Sequence, residues 1–172
     1  MTLAVYDFKD VRPDQLYIGR RIYQNDNDKV DFFKPEAASV EQLLTQSLVP
    51  LLEKAGFRVV RVKRYLDPSQ EDFKDIPAPV ALGGEIEALG VESKSGMVTT
   101  RTEATLRLRI HWALVKERTW LHKTIVGSAQ ESDRPFFRPK YAEAKLNEVF
   151  QEGLDQLLKD EPTLKNKLSP NP

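Results

Sequence analysis

Thr99–Val115, TTRTEATLRLRIHWALV, decides the fold. Ala104, Leu106, Leu108, Ile110, Trp112 and Leu114 occupy every second position, with Thr105, Arg107, Arg109 and His111 between them. Side chains on a strand point to opposite faces in turn, so strict alternation marks a strand with one dry face and one wet face. Burying each large apolar side chain stabilises by roughly 1.5–3 kcal/mol. A slip of one residue would carry Arg107 and Arg109 into the core, so register and facing are fixed together. Something apolar must cover the dry face, and two stretches elsewhere are patterned to do so.

Ser39–Gly56 reads as the first of these helices. Val40, Leu43, Leu44, Leu48, Leu51, Leu52 and Ala55 make one apolar stripe. Ser39 is placed to cap the start, with Gln42 completing a capping box, and Gly56 suits the left-handed residue just past the end. Pro50 lies inside, where a proline costs about 3 kcal/mol, and a kink is expected there. Lys140–Lys159 reads as the second helix, striped by Leu146, Val149, Phe150, Leu154, Leu157 and Leu158, with Pro162 beyond it.

The remaining strands fall around these elements. Leu3–Phe8 is short and apolar, Phe57–Tyr65 is rich in β-branched residues, and Thr119–Gln130 returns from the central strand through Lys116–Arg118. Val80–Glu92 reads as a strand in which Gly83-Gly84 marks a bulge or a close backbone approach, and Lys94–Gly96 turns it into the central strand. Leu66–Pro79, with three prolines, is a connection. Lys9–Ala38 shows no clean period, apart from a short strand at Arg20–Tyr23 and a turn at Asn25–Asp28. These pieces predict a single α+β domain over residues 1–160 and a disordered tail over 161–172. The expected architecture is a two-layer sandwich. A mixed, mostly antiparallel sheet of about five strands carries both helices on one face and leaves the other face polar and open.

Composition narrows function by exclusion. Lys plus Arg and Asp plus Glu are 26 each, so the chain lacks the basic excess of a generic nucleic-acid binder. It contains no Cys, which excludes disulfides, thiol chemistry and cysteine-based zinc sites. No apolar run approaches the roughly 20 residues of a membrane-spanning helix.

Each candidate for chemistry has a plainer reading beside it. His111 and His122 lie on neighbouring strands and suit a metal pair or an acid/base pair, against ordinary boundary histidines. Asn25–Asp28 with Asp31 lacks the glycine and closing glutamate of a calcium loop and reads as a solvated turn. Gly83-Gly84 matches no phosphate-binding pattern, and Gly127-Ser128-Ala129 lacks the second glycine of a nucleophile elbow. Arg101, Arg107 and Arg109 line the wet face, with Arg61 and Lys63 as neighbours. Without aromatic platforms for bases, that face reads as salt-laced, neutralised by Glu85, Glu87 and Glu103, or as a surface for a protein partner. No constellation of nucleophile, base and orienting group emerges, so no catalysis, cofactor or metal is expected; the competing reading is a hydrolase assembled within Lys9–Ala38.

The order of motifs resembles the YajG-like and related lipoproteins of bacterial envelopes. It is carried by Phe8-Lys9-Asp10-Val11-Arg12, Ile18-Gly19, Leu52-Glu53-Lys54-Ala55-Gly56-Phe57, Leu82-Gly83-Gly84-Glu85-Ile86, Ala104-Thr105-Leu106-Arg107-Leu108 and Val126-Gly127-Ser128-Ala129. It extends from Leu3 to about Leu158. The resemblance implies a non-enzymatic domain facing the periplasm, held at the outer membrane by a lipid on an N-terminal cysteine, with no catalytic residues to carry over. That cysteine is missing here, and the expectation is that a natural precursor supplies it upstream of Thr2; the alternative is a cytosolic protein starting at Met1. Function is then expected in contact with an envelope protein partner, through the early segment or the polar sheet face. Asp10, Arg12, Arg101, Arg107 and Arg109 are the candidate surface residues. The alternative is an auxiliary component of a lipid or solute transporter that binds an apolar ligand. No nucleic acid is expected as a partner, and the membrane only through the lipid.

Overall fold

The computed structural model describes residues 1–24, 29–35, 39–70 and 72–159. The central stretch forms β7 (Thr100–Leu114), flanked by β6 (Val80–Ser95) and β8 (Thr119–Arg134) in one long antiparallel meander. Its alternation is kept: Leu106, Leu108 and Ile110 are buried, whereas Arg107 and Arg109 are exposed. Both outer strands run further than their apolar patterns announce, and the first turn tightens at Gly96–Thr99 rather than Lys94–Gly96. Beyond Val91 the dry face continues as hydroxyls, Ser93 against Thr102 at 3.0 Å and Ser95 against Thr100 at 3.2 Å, which bond each other across the strands.

The sheet has eight strands among the described residues, against the five expected. The difference lies in the early segment. β1 (Thr2–Asp7), β2 (Lys9–Asp10) and β3 (Gly19–Tyr23) pair one after another, all parallel, along the edge of β6 that β7 leaves free. β4 (Val30–Phe33) then pairs antiparallel with β3. On the other side of β1 lies β5 (Arg58–Tyr65), also parallel, reached through α1 (Val40–Lys54).

Helix α1 is capped as its sequence dictates. The Ser39 hydroxyl accepts from the Gln42 amide at 3.3 Å. At the other end Gly56 adopts φ +93°, and the amides of Gly56 and Phe57 bond the carbonyls of Glu53 and Leu52, a Schellman closure. The helix runs unbroken through Pro50. Leu44, Leu48 and Leu52 of α1 share one core with Val149, Leu154 and Leu157 of α2 (Pro139–Leu158) and with the dry face of the meander, so both helices serve one sheet face. At the far end of that core the Arg21 guanidinium lies between the rings of Tyr23 and Phe137, and Phe137 stacks on Phe33.

The opposite face is not open throughout. Leu66, Ile76 and Ala78 of the proline-rich connection cover Ala4, Tyr6, Ala81 and Ala113 in a second, smaller core. Phe73 and Trp120 close its rim with ring centroids 5.2 Å apart. Apolar residues therefore occupy both faces at the Ala113 end of β7, and only the middle and distal parts of the outer face are polar.

Gly83 and Gly84 do not form a bulge; they pair regularly with His111 and Ile110. Close approach is their role. A Cβ on Gly84 would stand 2.1 Å from the Arg109 carbonyl oxygen, and one on Gly83 would stand 2.7 Å from Leu66 Cβ. The register shift in β6 falls between Ile86 and Ala88, at Glu87.

Candidate functional site

A concavity lies beside that shift, with Glu87 and Ala88 in its lining. After β2 the chain leaves the edge of β6 and returns only at β3, so the stretch around Ala88–Gly90, paired with β7 on one side, has no strand on the other. Arg12 fills the gap. One of its Nη atoms donates to the Leu89 carbonyl at 3.0 Å and to the Tyr17 carbonyl at 3.0 Å, taking the place of missing strand partners. Its other nitrogens grip the Asp10 carboxylate, at 2.7 Å for the Nη2–Oδ2 contact. The two side chains are only 5% and 6% exposed. Asp10 and Arg12, candidates for a partner surface from their sequence, are thus turned inward as a strap.

Over the strap lies an open cavity of about 580 Å³, lined by Tyr17, Ile18, Phe32, Glu87, Leu89 and Glu103 among others. The rings of Tyr17 and Phe32 lie 4.6 Å apart, tilted by 30°, and Phe32 remains half exposed. Beside it runs a ladder of charge. Arg107 binds Glu87 at 2.7 Å, while Arg109 binds Glu85 at 3.2 Å and also contacts Glu87. The arginines are about half exposed and the glutamates less so. Arg20 and Lys94 both bind Glu92. Although burial pushes the Glu92 carboxyl upward, these two cations prevail and hold it below the usual value. Arg101 is exposed on the same face, opposite Lys94. Arg61 lies apart on β5 and faces Asp7 at 3.6 Å. The geometry brings Arg107 and Arg109 together with the glutamates on one face and keeps them neutralised. Phe32 carried no usable signal in the sequence, because it sits on a four-residue edge strand without alternation.

A second, smaller cavity of about 300 Å³ opens beside His111, between Lys9, Tyr65, Asp67, Gln70 and Glu85. His111 and His122 are direct cross-strand partners, with Nδ1 atoms 2.8 Å apart and rings nearly perpendicular. Burial, then the neighbouring His122, lowers the pKa of His111. The Asn25–Asp28 turn and the tail lie outside the described residues, and Ser128 is an exposed strand residue on β8. No cluster of three or more metal-binding side chains occurs among the described residues. No described helix is long and apolar enough to cross a membrane.

No family model matches the sequence, and no curated protein matches it significantly. Solved structures do share the fold. A Xanthomonas campestris protein of family DUF330 is 12% identical over 96% of this chain and 84% of its own, with a TM-score of 0.55. Rare lipoprotein B from Shewanella oneidensis is 11% identical over 96% of this chain and 99% of its own, at 0.50. A neuraminyllactose-binding hemagglutinin homologue from Helicobacter pylori is 13% identical over 92% of this chain and 84% of its own, at 0.50. The likeness is one of fold, and it does not single out YajG. It places the chain's architecture among folds that bacterial lipoproteins adopt.

Proposed function

We propose that this chain is a non-catalytic domain of the bacterial envelope that acts by binding another envelope protein through its outer sheet face. The observation that carries the proposal is the cavity over the Asp10–Arg12 strap. There the chain's own elements leave Phe32, Tyr17 and the Arg–Glu ladder beside open solvent. A rigid scaffold presenting a mixed apolar and charged hollow suits a protein surface, with the aromatic pair as anchor and the paired charges as rim. The lipoproteins that share the fold support placement in the envelope, periplasmic and held by a lipid on the natural precursor.

Deleting part of the early segment is no clean test, because β2, β3 and β4 are built into the sheet. Point changes are. A photo-cross-linking residue at Phe32, in cells, is expected to give one dominant protein adduct. Reversing Arg107 and Arg109 to glutamate is expected to weaken it at least tenfold. Adducts to lipid alone would overturn the proposal in favour of apolar-ligand binding, and an adduct indifferent to the reversal would remove the outer face from it.

A further inference from the structure

The proposed function makes no use of His111 and His122. They are the chain's only histidines, and the register of β7 against β8 sets them directly opposite one another. Their Nδ1 atoms are 2.8 Å apart. A pair of nitrogens at that spacing has two uses: it can share a proton, or it can chelate a metal. Two metal–nitrogen bonds of about 2.0–2.1 Å meeting at a right angle place their nitrogens about 2.9 Å apart, whereas a tetrahedral angle requires about 3.3 Å. The observed spacing matches the right angle, which is the geometry of square-planar and tetragonal ions. Imidazole pairs hold copper(II) most strongly among the divalent first-row metals.

We propose that His111 and His122 form a two-imidazole binding site for a tetragonal divalent metal, copper(II) before others. The surroundings favour a cation. Position 83, beside His111 on β6, has no side chain of its own, and Leu66 packs over it from the connection. Glu85 on β6 and Asp67 in the connection bring negative charge to His111. Arg109, two residues along β7, opposes them, but its guanidinium is engaged by Glu85 and Glu87. Lys9 also lines the small cavity, and Trp120 and Thr124 precede and follow His122 on its face of β8.

The protons balance simply. Without metal, one ring donates its Nδ1–H to the other ring's Nδ1. With metal, both Nδ1 atoms are ligands and that proton moves through solvent to Nε2 of its own ring, so a neutral pair releases none. The cavity beside His111 and the exposure of His122 leave the remaining coordination positions to water.

The test uses the whole chain and copper(II) chloride in a non-coordinating buffer at pH 7.4. One equivalent is expected to give an electron paramagnetic resonance spectrum with hyperfine structure from two imidazole nitrogens. Titration is expected to give one copper per chain. His122→Gln, at an exposed position, should leave the melt unchanged and weaken binding at least tenfold, and His111→Gln should weaken binding by as much. Equal binding by wild type and the double variant would overturn the proposal, since the copper would then sit on the amino terminus or elsewhere. A spectrum with fewer than two imidazole nitrogens would overturn it as well.

Discussion

Arg12 shows how a single side chain can stand in for a strand. Its guanidinium satisfies two backbone carbonyls and a buried carboxylate where the edge of β6 has no neighbour. Arg12→Met would leave Asp10 as an uncompensated buried charge, and removing one member of a buried pair costs about 3–5 kcal/mol. Urea denaturation should record that loss. Adding Asp10→Leu should restore part of it, and the remainder should correspond to the unsatisfied carbonyls of Tyr17 and Leu89. The sequence showed Asp10 and Arg12 as two polar residues in an unpatterned segment, and nothing local distinguishes a buried strap from a surface pair.

His111 makes stability depend on pH in a defined direction. Burial and His122 depress its pKa in the folded chain, so the unfolded chain binds a proton first, near the ordinary histidine value of about 6.5. The stabilisation is therefore complete above that value and is lost as pH falls through the folded pKa. The denaturation midpoint should fall between pH 7.5 and 5.5, and His111→Gln should flatten that part of the curve. Glu92, also depressed, acts at lower pH, where its stabilisation is lost as pH falls below the usual glutamate range.

Among the elements, those with a strong internal period were legible in the sequence; of the early strands without one, β3 was read as the short strand Arg20–Tyr23, whereas β2 and β4 were not read. β7 and both helices bury one face against a core, and burial imposes the period that reveals them. β3 and β4 are short and mostly half exposed, so neither face selects apolar residues; what defines them is pairing, of β3 with residues some seventy positions away in β6 and of β4 with β3. That is why the sheet exceeds its expected width. The bulge was displaced for a related reason. Glycine marks close approach as well as bulges, and at Gly84 the neighbour is the Arg109 backbone, while the actual irregularity at Glu87 involves no glycine. Pro50 remains a local conflict inside α1, exposed to solvent and lacking the amide that would bond Gln46. Pro50→Ala should raise stability by about 1–3 kcal/mol, seen as a higher melting temperature with unchanged helix content.

For the whole molecule, one face of one sheet is committed to the helices and the other is divided. Its proximal end is closed by the proline-rich connection, and its middle and distal parts are left polar and open, where the proposed partner would bind. The absence of cysteine makes that division directly measurable. Single cysteines placed at Leu106, Arg107, Leu108 and Arg109 can be timed for reaction with a soluble thiol reagent, in the purified protein and in intact envelopes. Positions 107 and 109 should react at least a hundredfold faster than 106 and 108 in the purified protein, and only 107 and 109 should slow in envelopes. Rates that fail to alternate, or outward positions that react as fast in envelopes as in isolation, would contradict it.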